Sequence, residues 1–189
     1  MLARSRSPLY GWAPQTDPFR WSGCSSHHVR PGQTRNVQET TVTRILLLHG
    51  PNLSQLGSRD PEQYGTATLD EVVAAARAEA TAAGAEIEHL QTEHEGRLLE
   101  RLHTARTDGT AAVVINAGAW THTSYALHDA LELLEVPKVE LHLSNIHARE
   151  AFRSTSVIAP VCDGSIAGFG IDGYPLAVRA ALALLGQRT

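Results

Sequence analysis

The feature that most constrains the fold is the stretch of residues 44–65, RILLLHGPNLSQLGSRDPEQYG. It opens with four consecutive aliphatic residues, 45–48, which is typical of a strand buried on both faces of a parallel sheet. The run then breaks at Gly50 and Pro51 into a long loop. This loop carries carboxamide, guanidinium and phenol side chains, at Asn52, Arg59 and Tyr64.

The rest of the chain alternates between strand-like and helix-like segments. Thr68 and Glu71 form a capping-box pattern ahead of an alanine-rich helix that is expected to end near Gly84. Periodicity then predicts strands at residues 85–91, 111–115, 139–143 and 164–168, and helices at residues 95–106, 123–134 and 173–185. Residues 157–160 compete for the role of fifth strand, and a short helix is expected from residue 147 or 148 to residue 152.

This alternation predicts an α/β fold, a flavodoxin-like three-layer sandwich with a five-stranded parallel sheet in the order 2-1-3-4-5. That order places strands 1, 3 and 4 side by side, and ligands of such folds lie beyond the carboxyl ends of the strands. The polar residues that follow these three strands should therefore meet in one crevice. They are Asn52, Arg59 and Tyr64 after strand 1, Asn116 and His122 after strand 3, and His142, Ser144 and Arg153 at and after strand 4.

Two of these residues suit proton transfer. A free phenol is a poor base at neutral pH, but a nearby guanidinium stabilises the phenolate, so Arg59 is a candidate to activate Tyr64. His142 shares a strand face with Glu140, and a carboxylate there suits a protonated imidazole acting as a general acid. The simpler alternatives are a loop tyrosine that only packs and a histidine with a purely structural hydrogen bond.

The remaining motifs suit binding of an oxygen-rich anion. The turn at residues 143–146 offers free backbone N–H groups to a carboxylate or phosphate, and Arg153 adds a cation. Capping by Ser144 or Asn145 would also explain this turn. Asn116 could hydrogen-bond a hydroxylated ligand, although turn chemistry alone would account for the sequence Asn-Ala-Gly.

Length and composition restrict the remaining classes of protein. A chain of 189 residues with 42% hydrophobic and 19% charged residues is expected to form one soluble globular domain. Its net charge of -4 gives no electrostatic case for nucleic acid or an anionic membrane. Two isolated cysteines, Cys24 and Cys162, suit a reducing cytoplasm.

Residues 1–43 differ from the rest because they show no apolar period, and we interpret them as an N-terminal extension that is disordered. A targeting peptide and a start site later in the chain, such as Val42, are the alternatives. Residues 44–189 form the predicted catalytic domain.

Two other ligand classes are disfavoured. Ten histidines invite a metal site, but no HExxH motif is present and the His122/His128 and His142/His147 spacings are not known ligand pairs. A nucleotide or flavin would need a phosphate loop rich in Gly, Ser and Thr after strand 1, where Pro51 instead removes an N–H donor.

From residue 44 to the C-terminus the chain resembles the type II 3-dehydroquinate dehydratases. The matching segments are GPNL at 50–53, LGSRDPEQYG at 56–65, NAGAWTHTSYAL at 116–127 and ELHLSNIHAREAFR at 140–153. The chain departs from the usual family pattern at Ser54-Gln55, at Trp120 and in residues 1–43, and none of these departures removes a proposed catalytic group.

The resemblance implies reversible trans-dehydration of 3-dehydroquinate to 3-dehydroshikimate through an enolate, without cofactor or metal. It implies that Tyr64 is the base, tuned by Arg59, that Asn52 positions a water against the enolate oxygen, and that His142 protonates the departing hydroxyl with support from Glu140. The substrate-binding residues that it implies are Asn116, His122, Asp129, Leu143, Ser144 and Arg153.

The resemblance also implies a homo-oligomer, a dodecamer built from trimers, in which Asp129 acts either in its own subunit or in a neighbouring one. The reaction would serve aromatic amino-acid biosynthesis by the shikimate pathway or the catabolism of quinate. A flavodoxin-like binding module and a non-catalytic relative are the alternative functions.

Overall fold

The computed structural model of the protein describes residues 42–58 and 66–188. Within them, a five-stranded sheet has the order β2-β1-β3-β4-β5, and every neighbouring pair of strands is parallel. The strands are β1 (Thr43–His49), β2 (Ala85–Gln91), β3 (Thr110–Asn116), β4 (Lys138–His142) and β5 (Gly164–Ala167). The predicted sheet and its strand order are confirmed.

In this described part of the chain, four α-helices cover the two faces of the sheet. They are α1 (Leu69–Ala82), α2 (Glu95–Ala105), α3 (Tyr125–Glu132) and α4 (Gly173–Arg188). Alternation along β1 explains the layers, because successive side chains of a strand point to opposite faces. Ile45 and Leu47 pack with residues of α1 and α4, whereas Leu46 and Leu48 pack with residues of α2 and α3. The three-layer arrangement therefore follows from a strand that is apolar on both faces.

The start of α1 confirms the predicted capping box. The Thr68 hydroxyl accepts from the backbone N–H of Glu71 at 3.3 Å, and the Thr68 N–H donates to the Glu71 carboxylate at 2.7 Å. These two bonds satisfy backbone donors that a helix end otherwise leaves unpaired. α1 therefore begins at a fixed position.

The competing assignment of residues 157–160 to the fifth strand is wrong. The fifth strand is β5, and Ala159–Val161 forms a 3-10 turn with Pro160 in its first positions. Proline suits such a turn because its ring sets φ, and it is disfavoured within a sheet because it lacks the N–H that a ladder requires.

The predicted short helix ending at residue 152 is also wrong. Two separate 3-10 turns, Ile146–Ala148 and Ala151–Ser154, replace it, and Arg149 and Glu150 between them have extended backbone. Only Ile146 is buried within these turns. With so small an apolar face, packing does not offset the cost of forming a longer helix.

The third predicted helix begins later than expected. Residues Gly118–His122 form a 3-10 turn, and α3 begins at Tyr125 with the Ser124 hydroxyl capping the N–H of Leu127. Among the described residues, no helix combines the length and the apolar character needed to cross a membrane. The predictions for residues 1–41, for Arg59 and for Tyr64 concern positions outside the described residues.

Candidate active site

A cleft of about 150 Å³ lies at the carboxyl ends of β1, β3 and β4. It is at the edge of the sheet where the strand order predicts a ligand site. Predicted site residues from all three strand ends and the loops that follow them come together there. The residues that line the cleft are Pro51, Asn52, Leu53, Asn116, Gly118, Ala119, His122, His142, Leu143, Ser144, Ile146, Arg149 and Arg153.

The backbones that follow β1 and β3 are in close contact. The N–H of Gly50 donates to the carbonyl of Asn116 at 2.8 Å. A Cβ atom at Gly50 would lie 2.2 Å from the carbonyl oxygen of Ala117, so only glycine fits this position. Gly118 has φ +58° and packs against Pro51. These contacts hold the loops that carry Asn52 and Asn116 at a fixed separation.

Asn52 is held through its backbone. It has φ 64° and ψ 1°, a left-handed conformation that asparagine tolerates better than most residues. Its N–H donates to the Glu93 carboxylate at 2.8 Å, and the Ser54 hydroxyl donates to the same carboxylate at 2.8 Å. The hydrogen bond from the Asn52 backbone is the largest of the effects that lower the pKa of Glu93. Glu93, just after β2, therefore anchors the first turn of the loop.

His142 pairs with a carboxylate that is completely buried. Its Nε2 atom lies 2.9 Å from Oε1 of Glu140, and both side chains leave β4 on the same face. Burial alone would raise the pKa of the Glu140 carboxyl, but hydrogen bonds from His142, Thr121 and Ser156, with the imidazole charge, hold the pKa below its ordinary value. Glu140 is therefore a carboxylate that accepts a hydrogen bond from Nε2 of His142.

The hydroxyl donors to Glu140 are residues that sequence reasoning missed. Thr121 Oγ1 donates to Oε1 of Glu140, and Ser156 Oγ donates to the same oxygen at 2.8 Å. Ser165 Oγ lies 3.5 Å from the other carboxylate oxygen. Thr121 lies within the segment of residues 116–127, but no sequence spacing identifies its contact with β4.

Cations and imidazole line the side of the cleft beyond β4. The guanidinium of Arg149 donates to the Ser144 hydroxyl at 3.4 Å, and Arg153 bonds to Glu150 at 3.0 Å. The Arg153 guanidinium also lies 4.8 Å from the centre of the Phe152 ring. His122 bonds to the carbonyl of Thr155 at 2.8 Å. This wall can bind an anionic, hydroxylated ligand.

Arg149 is the main lining residue that sequence reasoning missed. It follows the turn at Ser144 and Asn145 by four residues, as Arg153 follows it by eight. Two turns replace the helix expected here, and Arg149 lies in the extended backbone between them. The signal available in the sequence was a second arginine after the turn that is predicted to bind an anion.

The structure does not bring Asp129 into the cleft of its own chain. Its side chain is exposed on α3, and it does not line the cleft. Ligand atoms of Asp129, His128 and Glu132 lie within 4.8 Å of one another, which makes this the one group among the described residues that could hold a metal ion. His128 Nδ1 in that group bonds to the carbonyl of Val157 at 2.8 Å.

Comparison with known proteins identifies the family of the chain. The sequence model of the family described as Dehydroquinase class II matches residues 43–182. A 3-dehydroquinate dehydratase from Leptothrix cholodnii is 52% identical over 141 residues, which cover 75% of this chain and 95% of the relative. One from a Jannaschia species is 55% identical over 144 residues, which cover 76% of this chain and 97% of the relative.

The solved structures give the same result. The crystal structure of a type II dehydroquinase from Butyrivibrio crossotus has a TM-score of 0.73 and 39% sequence identity. The match covers 75% of this chain and 98% of that one. On the family match, the identity of these relatives and the shared fold, the chain belongs to the class II dehydroquinase family.

Proposed function

We propose that this protein is a hydro-lyase that converts 3-dehydroquinate to 3-dehydroshikimate by trans-elimination of water. Support comes from the family, from the names of the similar proteins and from the chemistry of the cleft. The substrate is a carboxylate with several hydroxyl groups. A cleft lined by two carboxamides, two imidazoles, a serine hydroxyl and two guanidiniums suits such a ligand.

The observation that carries the proposal is the His142–Glu140 pair beside this cleft. In the proposed mechanism Tyr64 removes the C2 proton, and Arg59 stabilises the phenolate that does so. The electron pair of the C–H bond forms an enolate, whose oxygen is stabilised by a water that Asn52 positions. His142 then donates a proton to the departing hydroxyl, which leaves as water. The buried Glu140 carboxylate supports the charged imidazole before the transfer.

The remaining residues bind the substrate. The backbone at Leu143 and Ser144 would hold the carboxylate, with Arg153 adding polar contacts. Asn116 and His122 would bind hydroxyl groups. No cofactor or metal is needed for this chemistry, because each proton transfer has a named side chain and the developing negative charge has hydrogen-bond donors.

We also propose that Asp129 completes the site of a neighbouring subunit. Asp129 is exposed on α3 and does not line the cleft of its own chain. A symmetric homo-oligomer, a dodecamer assembled from trimers, would bring it to a second copy. Light scattering at micromolar concentration should give a mass several times that of one chain. A monomeric mass combined with full activity would refute both the assembly and this role.

A turnover assay tests the proposed function directly. Purified protein is mixed with 3-dehydroquinate, and the absorbance of the conjugated enone of the product is followed. The Glu140→Gln variant serves as an internal control for a contaminating enzyme. A protein that produces no enone would be a non-catalytic relative, and one that carries bound flavin or nucleotide on purification would be a binding module.

We propose a cytoplasmic location, which the two isolated cysteines support. The reaction fits either aromatic amino-acid biosynthesis or quinate catabolism. Deletion of the gene distinguishes the two: a biosynthetic role predicts a requirement for aromatic amino acids, and a catabolic role predicts loss of growth on quinate alone.

A further inference from the structure

A series of hydrogen-bonded side chains, His89, His49 and Tyr174, leads to Asn116 in the cleft. These three side chains have no role in the proposed mechanism. His49, at the end of β1, has both ring nitrogens in hydrogen bonds: Nδ1 lies 2.9 Å from Nε2 of His89, and Nε2 lies 2.8 Å from the Tyr174 hydroxyl. The Tyr174 hydroxyl in turn lies 3.3 Å from Nδ2 of Asn116. His49 and Tyr174 are completely buried. The chain of contacts therefore runs from β2 through β1 and α4 to a residue that lines the cleft.

The direction of each hydrogen bond follows from the groups that can only donate. The backbone N–H of Gly118 lies 3.3 Å from Oδ1 of Asn116, and this contact fixes which end of the carboxamide carries the oxygen. Nδ2 of Asn116 must then donate to the Tyr174 oxygen. The hydroxyl keeps its own proton and donates it to Nε2 of His49.

The same reasoning assigns the proton on His49. Burial, followed by the charge of His89, lowers the pKa of His49 to about 3, so the ring is neutral near pH 7. With Nε2 accepting from Tyr174, the single ring proton lies on Nδ1 and is donated to His89. Every hydrogen bond in this series therefore has its donor on the side of Asn116 and its acceptor on the side of β2.

This arrangement holds the Asn116 carboxamide at both ends. Its oxygen accepts from Gly118, and one of its N–H bonds is donated to Tyr174. One N–H and one lone pair of the oxygen remain for a ligand. An asparagine held only by the Gly118 contact, a long hydrogen bond, would be free to rotate about its last torsion angle, because that torsion is broad.

We propose that Tyr174, oriented by His49, is a positioning residue that fixes the Asn116 carboxamide for binding a substrate hydroxyl. This inference rests on the proposed function, in which Asn116 binds the substrate. It assigns a role to two residues that do not line the cleft. It also predicts an effect on substrate binding and not on proton transfer, because Asn116 neither gives nor takes a proton in the proposed mechanism.

A double-mutant cycle tests the proposal. Tyr174→Phe should raise KM for 3-dehydroquinate by about five- to tenfold, the effect of one lost hydrogen bond, with kcat within about twofold of the parent. In an Asn116→Ala background the same change should alter KM by less than about twofold, because the positioned group is missing. The matched control is Tyr125→Phe, which removes the hydroxyl of an exposed tyrosine and should leave both constants unchanged.

The opposite results are equally definite. A purely structural hydroxyl would lower the amount of folded enzyme, which reduces the apparent kcat and leaves KM unchanged. An unchanged KM in Tyr174→Phe, or an equal change of KM in both backgrounds, would overturn the proposal.

A second measurement does not depend on catalysis and does not use the Tyr174→Phe variant. Nitrogen-15 solid-state NMR of the histidine-labelled parent protein at pH 7 should show His49 with a protonated Nδ1 and a bare Nε2. Comparison with His49→Gln identifies its signals. A protonated Nε2 would overturn the proposal, because Tyr174 would then not be oriented as described. If the parent does not turn over 3-dehydroquinate, the proposed function fails, and this spectrum still decides the hydrogen-bond chain.

Discussion

His142 Nε2 and Glu140 Oε1 lie 2.9 Å apart, although neither residue is adjacent to the other in sequence. They meet because side chains two residues apart on a strand leave the same face. Glu140 is completely buried, so its charge is compensated only by hydrogen-bond donors around it. The pair therefore couples a residue at the cleft to a carboxylate that solvent does not reach.

Replacing Glu140 by Gln tests this coupling. The amide keeps the size of the side chain but cannot stabilise a positive imidazole, so kcat should fall by about 10- to 100-fold. Substrate binding should change less, because Glu140 does not line the cleft. The matched control is Glu100→Gln, an exposed residue of α2 that should leave kcat unchanged. Equal kcat in both variants would show that the carboxylate charge plays no part.

Tyr64→Phe tests the proposed base. Loss of a positioned base should lower kcat by at least about 100-fold. Affinity for the substrate should survive, since the proposed carboxylate contacts at Leu143 and Ser144 are unchanged. Arg59→Ala should also slow turnover severely by removing the group that stabilises the phenolate. Steady-state kinetics and melting temperatures are measured for both variants, with Tyr125→Phe as control. Turnover of Tyr64→Phe near the parent rate would assign the base to another group.

Borohydride should not inactivate the enzyme in the presence of substrate. Trapping of a Schiff base needs an accessible, neutral lysine amine, and Lys138 is the only lysine in the chain. It begins β4, at the end of the strand opposite His142, where its ammonium donates to the carbonyl of Leu134 at 2.7 Å. Intact-protein mass spectrometry after treatment should show no added substrate mass. A stable adduct on Lys138 would contradict the enolate mechanism.

Acid should destabilise the fold through His49. Its pKa is about 3 in the folded state and about 6.5 when unfolded, so below pH 6.5 the unfolded state binds more protons. The contribution of His49 to the free energy of unfolding is therefore present in full above about pH 6.5. As the pH falls below this value, the free energy of unfolding decreases by roughly 1.4 kcal/mol for each pH unit. His89 contributes in the same direction, because burial, together with the charge of Arg77, lowers its pKa too.

Urea unfolding between pH 7 and pH 4 measures this slope. His49→Gln should reduce the slope by the amount that corresponds to about one proton taken up on unfolding. Replacement of the exposed His103 by Gln should leave the slope unchanged. An identical slope in all three proteins would mean that His49 is not protonated on unfolding in this range.

Gly50→Ala should unfold the protein at lower temperature. The added Cβ would meet the carbonyl of Ala117 at 2.2 Å, so the backbones after β1 and β3 must separate. We expect a loss of about 1 to 3 kcal/mol in the free energy of unfolding, as for overpacking. Gly96→Ala, within α2, is the matched control: no atom lies within 4 Å of its Cβ, and helix propensity predicts a gain of up to about 1 kcal/mol. Equal melting temperatures in the two variants would contradict the close approach.

The sequence by itself determined the architecture and most of the candidate site. Four aliphatic residues in β1 indicated a strand buried on both faces, and the alternation of strands and helices indicated the parallel sheet and its order. Because parallel strands end at one edge, Asn52, Asn116 and His142 could be placed together from their positions after the strands. Local rules were also sufficient for the Thr68 capping box and for the shared face of Glu140 and His142.

Only the tertiary structure decided how those groups are supported. His49 and Tyr174 are 125 residues apart, and Thr121 reaches Glu140 from a turn after a different strand. Arg149 enters the cleft because two short turns replace the expected helix. Periodicity reports which face of an element is apolar. It does not report which side chains meet when the elements pack, because that depends on how loops and layers share the remaining space.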